Sequence, residues 1–262
     1  MMKYFVVADV HSFYDAMMKA LEDKGFDKSN PEHHVIVCGD LFDRGPDAKK
    51  CFEFAVEMAG MGRFTYICGN HEDLFFQCVN DMILKHRVAD HHIHNGTLDT
   101  IAQFTGRNKY DLMMGIFNDD ELYNELRPLL NFISDNAIDY AELDDHVFVH
   151  GWIPCEKKRV DLFTDKYVAV DDWRNGNWDM ARWVNGIEAA HQGIILSKKT
   201  IVCGHFHCSY GWSRVRQERK EFPSKSRADW AKSFEIYEDR GIIALDACTA
   251  FSGFVNCYVI ER

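Results

Sequence analysis

Short runs of Val, Ile, Phe and Tyr recur along the chain, and five of them end in a cluster of Gly, Asp, Asn or His. Such runs read as buried strands that deliver polar residues to a shared edge. Tyr4 to Ala8 leads into Asp9 and His11, Val35 to Cys38 into Gly39 and Asp40, and Phe64 to Cys68 into Gly69, Asn70 and His71. Val147 to Val149 delivers His150, and Ile201 to Cys203 delivers Gly204, His205 and His207. Helical patterns over Phe13 to Asp23 and Asp47 to Ala59 separate the first three runs and predict a β-α-β-α-β opening. In open α/β sheets, ligands bind beyond the carboxyl ends of the strands, where these polar clusters fall.

From about residue 73 to 145 the pattern is polar and mostly helical, with Asp99 to Phe104 and Asp119 to Leu130 the better helices, the latter carrying Pro128. This segment is expected to be a helical insertion over the sheet edge. Phe234 to Tyr237, Ile242 to Leu245 and Phe254 to Ile260 read as strands completing a second sheet. With no repeat, low-complexity stretch or Pro/Gly-rich linker, residues 1–262 are expected to form a single domain.

Composition places the chain among soluble globular proteins, with 47% hydrophobic and 27% charged residues and no run apolar enough to cross a bilayer. A net charge of -11 argues against nucleic acid or a membrane as partner, so an anionic substrate must be attracted locally. Nine cysteines without a C-x-x-C pair fit a reducing compartment. The opening Met1 to Ala8 is too short an apolar run for a signal peptide, and a cytoplasmic location is expected.

The strand ends together supply Asp9, His11, Asp40, Asn70, His150, His205 and His207, seven candidate ligands of carboxylate, imidazole and amide type. Nitrogen and oxygen donors without thiolate suit Mn, Fe or Zn, and seven are too many for one ion unless a carboxylate bridges two. Two metals about 3.5 to 4 Å apart can activate water and stabilise charge during in-line displacement at phosphorus, which is phosphoester hydrolysis.

In order, the motifs are D-x-H at Asp9, G-D-x-x-D-R-G at Gly39 to Gly45, G-N-H-E at Gly69 to Glu72, H-G at His150, and G-H-x-H at Gly204. On these the chain resembles the calcineurin-like metallophosphoesterases. Asp43-Arg44-Gly45 and Glu72 make it similar to the branch holding bacterial and phage Ser/Thr phosphoprotein phosphatases and symmetrical diadenosine tetraphosphate hydrolases. The resemblance implies an α+β sandwich, two mixed β-sheets packed face to face and flanked by helices in four layers. It implies two divalent metal ions, manganese first and iron or zinc as alternatives. Asp9, His11 and His207 would hold one ion, Asn70, His150 and His205 the other, and Asp40 would bridge. Arg44 would bind a phosphate oxygen. His71 would protonate the leaving oxygen with Asp43 orienting it. Asn70 and a second arginine would also face the substrate; Arg182 is the choice for that arginine and Arg174 the alternative. The implied activity is a Ser/Thr protein phosphatase acting on phosphorylated protein, with diadenosine tetraphosphate or another nucleotide polyphosphate as the alternative substrate. A metal-binding phosphate-recognition scaffold is the non-enzymatic alternative.

Several features stand outside this pattern. His205 is followed by His207 where phosphoprotein phosphatases have a single His, and Trp152 is expected to narrow the pocket. Asn95-Gly96-Thr97 resembles a substrate-pocket element of bacterial members. His33, His34, His91, His92 and His94 are assigned to solvent. Cys38 precedes Arg44 with C-x5-R spacing, but the intervening Asp40 and Asp43 would repel a phosphate dianion. Cys38, Cys68 and Cys203 each precede a motif glycine, as buried hydrophobes or as oxidation-sensitive thiols. The basic stretch from Arg214 to Lys232 is read as a solvated face or a steering surface for an anionic substrate.

Overall fold

Lys3–Val7 forms strand β1, and its alternation sets the layering: Phe5 and Val7 pack with helix residues, while Val6 and Ala8 pack toward a second sheet. The structure, a computed structural model, describes residues 1–159, 165–217 and 232–262. Strand β1 pairs in parallel with β2 (His33–Cys38), β2 with β3 (Phe64–Ile67), and β3 with β4 (Ala137–Ile138). Helices α1 (Tyr14–Asp23) and α2 (Ala48–Gly60) fill the crossovers. In α2, Cys51, Phe54, Ala55 and Met58 are buried, the spacing of a single helical face.

Between β3 and β4 the chain is helical: α3 (Asn70–Lys85), α4 (Asp90–His94), α5 (Thr97–Thr105), α6 (Lys109–Met113) and α7 (Asp119–Asn136). Helix α7 continues past the expected end at Leu130 and through Pro128. The proline gives up one intrahelical hydrogen bond, which burial of Leu122, Leu126, Leu129, Leu130 and Ile133 on the same helix outweighs. The helical pattern expected as far as residue 145 stops at Asn136, where β4 and then β5 (Ala141–Leu143) begin.

The second sheet runs β10 (Tyr237–Asp239), β11 (Ile242–Ala244), β9 (Thr200–Cys203), β6 (His146–Phe148), β5. Strands β6, β9 and β11 are parallel, with antiparallel strands at both edges. A separate ribbon pairs β7 (Cys155–Arg159) with β8 (Asp165–Ala169), and the shorter helices are α8 (Trp178–Ala181), α9 (Gly186–His191), α10 (Cys208–Val215) and α11 (Thr249–Ser252). Ile36, Cys38, Phe148, Val202, Ile243 and Leu245 fill the space between the sheets. The result is the expected arrangement of two mixed sheets face to face with helices outside.

The last strand departs from expectation. Strand β12 (Tyr258–Glu261) joins the first sheet, antiparallel to β1 from Lys3↔Glu261 to Val6↔Tyr258, while β10 and β11 join the second. The physical reason is the unpaired edge of β1 opposite β2, whose backbone groups need partners. Trp152 is also displaced from its expected place: it lies fully buried under the second sheet, its indole N–H donating to the Ile194 carbonyl at 3.0 Å, and does not narrow a pocket. Among the described residues, no helix is long and apolar enough to cross a membrane.

On β5, Glu142 accepts from Arg174 Nε at 2.7 Å and pairs with Lys199, and these cations hold its carboxyl down to about 2. The folded value lies below the unfolded one, so this stabilisation is present above the ordinary carboxyl value and is lost as pH falls toward 2. Glu142→Gln is expected to cost about 0.5–1 kcal/mol at pH 7. Urea titrations of both proteins should show that difference shrinking as pH falls below 4.5, the ordinary value for this group.

Candidate metal centre

The site lies beyond the carboxyl ends of the parallel strands. Asp9 and His11 follow β1, Asp40 follows β2, Asn70 and His71 open α3 after β3, His150 follows β6, and His205 follows β9. Reaching it twists the backbone into the left-handed region at Asp9 (φ 49°), His11 (51°), Asp40 (52°), Asp43 (71°), Arg44 (63°) and His205 (65°). Such conformations persist only where the surroundings over-determine them. Two motif glycines are dictated by contact: a Cβ on Gly39, itself at φ 79°, would overlap the His150 ring, and a Cβ on Gly204 would overlap the Asp9 carboxylate.

A buried carboxylate organises the approach. Glu72 accepts from the backbone N–H groups of Asp40 (3.0 Å), Leu41 (3.2 Å) and Gly69 (2.7 Å) and from the Tyr66 hydroxyl (2.6 Å). It ties the turn after β2 to the turn after β3. Asp40 Oδ1 accepts from the His71 backbone N–H at 3.0 Å, closing the same connection.

The two oxygens of Asp40 face different groups. Oδ1 lies 3.3 Å from His150 Nε2, whereas Oδ2 lies 3.8 Å from His11 Nε2 and 3.9 Å from His71 Nε2. Candidate ligand atoms of Asp40, His150 and His205 lie within 4.8 Å of one another, as do those of His11, Asp40 and His71. Backbone carbonyls fix the tautomers: His150 Nδ1 must donate to Cys38 O (2.9 Å) and His11 Nδ1 to Phe42 O (3.1 Å). Nε2 of a neutral His150 is then an acceptor, yet it faces Asn70 Oδ1 at 2.8 Å and Asp40 Oδ1 at 3.3 Å. Three acceptors converging in a buried space fit a cation at their centre.

The electrostatics agree. Burial, then Asp246 and Asp40, push the Asp9 carboxyl well above its ordinary range, the sign of crowded negative charge. Burial would raise Asp40 too, but His150, His71, His11 and His205 hold it low. Burial, with neighbouring cationic groups, pushes His11 down and lowers His205 to about 3, leaving neutral imidazoles with lone pairs for a metal. His71 differs: burial lowers it, but Asp40 and Asp43 raise it on balance. Its Nδ1 bonds Asp43 Oδ2 at 2.8 Å, and its Nε2 meets Arg44 Nη2 at 3.0 Å. Asp43 is itself held by the hydroxyls of Thr97 (2.8 Å) and Thr100 (2.7 Å) on α5, which gives Asn95-Gly96-Thr97 a place in the framework.

Other expected site residues fall outside these two three-residue groups, although the charge of His207 acts on Asp9. His207 Nε2 is 3.8 Å from Asp246 Oδ2 and belongs to neither ligand group. The Arg182 guanidinium is held by Asp73 (2.8 Å), Asp139 (2.6 Å) and Asp179 (3.1 Å), and Arg174 by Glu142 (2.7 Å). Cys38, Cys68 and Cys203 are buried and burial pushes their thiols up, which disfavours the reactive thiolate. His33 and His92 are buried rather than in solvent. Of the basic stretch, residues 218–231 lie outside the described residues; Arg214 pairs with Glu188 and Arg216 lies over Trp212.

Two residues escaped the sequence reading. Asp246, buried just beyond β11, repeats the strand-then-polar signal through Ile242 to Leu245. Trp183 left no signal: its ring stands edge-on to His205 at 6.0 Å, half exposed.

The family profile described as calcineurin-like phosphoesterase matches residues 2–236. Over 76 residues, 27% of this chain and 30% of the relative, the chain is 30% identical to the asymmetrical bis(5'-nucleosyl)-tetraphosphatase PrpE of Bacillus velezensis. Over 71 residues, 27% of this chain and 30% of the relative, it is 37% identical to serine/threonine-protein phosphatase 1 of Salmonella typhimurium. The matches thus span less than a third of either curated relative. A solved cold-active protein tyrosine phosphatase shares the fold with TM-score 0.50 and 15% identity, over 100% of this chain and 74% of that one.

Glu72→Gln replaces an oxygen that accepts from two N–H groups or from an N–H and a hydroxyl with an amide that donates. Unfolding in urea is expected to show a loss of about 2–4 kcal/mol. Titration calorimetry with manganese should also show weaker binding, because Asp40 and Asn70 lose their common anchor.

Proposed function

The chain belongs to the calcineurin-like phosphoesterase family, and we propose that it hydrolyses a phosphoester at a pair of divalent metal ions. The observation that carries this reading is Asp40, whose two oxygens each face a separate group of imidazoles. Asp9, His11, Asn70, His150, His205 and His207 complete the donor set, with manganese first and iron or zinc as alternatives. The metal pair supplies an activated water and polarises the phosphoryl oxygens.

The remaining work falls to the protein. Arg44 offers a planar pair of donors to non-bridging phosphate oxygens. In the structure Arg44 Nη2 sits on His71 Nε2 at 3.0 Å. An incoming phosphate dianion competes for that guanidinium and frees Nε2. Nε2, no longer accepting from Arg44, takes up a proton from water, and His71, its Nδ1–H held by Asp43, gives that proton to the leaving oxygen. Arg182 reaches phosphate only by leaving its three carboxylates, so Arg44 is the primary phosphate anchor.

The substrate the motifs suggest is phosphoserine or phosphothreonine in protein, in a cytoplasmic setting. A second reading, a dinucleoside polyphosphate, is favoured by a groove that opens from Arg44 and carries a second cation. With manganese added or chelator in excess, a phosphoserine peptide and diadenosine tetraphosphate offered in parallel distinguish the two by relative turnover. Activity on neither, with or without metal, would leave a phosphate-recognising scaffold.

His71→Asn should lower turnover of a phosphoserine peptide by about 10²- to 10⁴-fold while metal content by mass spectrometry stays near that of the parent. Loss of a metal equivalent would instead make His71 a ligand, as its place beside His11 and Asp40 allows.

A further inference from the structure

We propose that Arg182 is a positioning residue: it fixes the separation of Asn70, His150 and His205, and so sets the affinity for the ion that these three would hold. The inference rests on the metal reading above and departs from the phosphate-binding role expected for Arg182.

The three side chains do not share an element. Asn70 opens α3 beyond the first sheet, whereas His150 and His205 follow β6 and β9 of the second. Their meeting point, with Asn70 Oδ1 at 2.8 Å from His150 Nε2, therefore lies across the gap between two sheets. Within the second sheet the backbone ties the two histidines, since Gly204 N–H donates to the His150 carbonyl at 2.8 Å. What remains to be fixed is the distance from that pair to α3.

The turn after α8 spans this distance. On one side it grips both histidines. Trp152 N–H donates to the Ala181 carbonyl at 3.1 Å, and a Cβ on Gly151 would overlap the Ala181 and Arg182 carbonyls, so the turn rests directly on the residue after His150. The Trp183 ring stands edge-on to His205 at 6.0 Å, and a backbone hydrogen bond joins the His205 ring to Trp183. A carbonyl on one ring nitrogen leaves the other for a metal.

On the other side the turn reaches the first sheet through one side chain. Arg182 Nη1 donates to both oxygens of Asp73 at 2.8 Å, and Nη2 donates to Asp139 at 2.6 Å. Asp73 stands in the first turn of α3, which begins at Asn70. Asp139 follows β4, whose Ile138 carbonyl accepts from Cys68 N–H at 2.8 Å, just before Gly69 and Asn70. Only a planar fork meets carboxylates in several directions at once. The Arg182 side chain is 12% exposed, which makes these contacts stronger than those of a surface pair. Without the guanidinium, Asp73 and Asp139 would face Asp179 on α8 with no cation between them, and like charge would favour separation of the turn from α3.

Titration calorimetry of the full chain with manganese tests this. The parent should take up two equivalents. In Arg182→Gln one of them should bind about 10- to 100-fold more weakly, the usual cost of removing support behind a metal ligand, while the other is unchanged. The weakened equivalent should be the one missing from His205→Ala. At saturating manganese, KM for p-nitrophenyl phosphate and the inhibition constant of inorganic phosphate should match the parent. Asp73→Asn, at a partly exposed position, should weaken the same equivalent, and the double variant should cost no more than Arg182→Gln alone, because both changes cut one tie. Asp73→Asn also carries the test if Arg182→Gln does not fold. Two equivalents bound by both variants as tightly as by the parent overturn the positioning role and leave the metal reading standing. A raised inhibition constant for phosphate with both equivalents intact also overturns it, making Arg182 a phosphate anchor. A parent that binds no manganese overturns the metal reading and the inference with it.

Discussion

The geometry of the site depends first on one buried carboxylate, Glu72, and on the four donors that converge on it. An ionised carboxyl away from water is costly unless hydrogen bonds replace its hydration. Glu72 meets that condition with three backbone N–H groups from the turns after β2 and β3 and the hydroxyl of Tyr66 on β3. In settling its own desolvation it fixes the spacing of Asp40 from Asn70 and His71. The acidic residue that closes the G-N-H-E motif is therefore a brace between two turns.

Around that brace the protein concentrates unfavourable features that a cation would relieve. Buried Asp40 helps raise Asp9 and Asp246, and Asp246 raises Asp9 further, while Asp40 itself is held low by imidazoles. Asp9, His11, Asp40, Asp43, Arg44 and His205 hold left-handed backbone angles. Rigid sheet ends and tightly packed glycines keep these from relaxing. The same rigidity suits catalysis by electrostatic preorganisation, in which groups are aimed before the reaction begins.

Much of this was legible in the sequence because it is local. Strands β1, β2, β3, β6 and β9 announce themselves as apolar runs, and the motif residues follow at once. What was not legible depends on choices between distant partners. Nothing in Tyr258 to Glu261 says that it will lie beside Lys3 to Val6 instead of extending the second sheet. Arg182 looks available until Asp73 and Asp139, remote in sequence, are found around it. Trp152 reads as a pocket wall because its neighbour His150 is a site residue, yet its side chain packs with Val149 and Ile187 in the core. Thr97 and Thr100 reach Asp43 across 54 and 57 residues of sequence, a distance at which no pattern speaks.

The pairing of β12 with β1 has a consequence for biosynthesis. While the nascent chain is still on the ribosome, the outer edge of β1 waits for a partner that is translated only after β11. The candidate metal-site residues Asp9, His11, Asp40, Asn70, His150, His205 and His207 all precede β10, when the first sheet is still open at one side. Non-local closure of this kind is slow and exposes an unpaired strand edge in the interval. That edge stays open until β12 pairs with it, so the interval of exposure is set by the length of chain between the two strands.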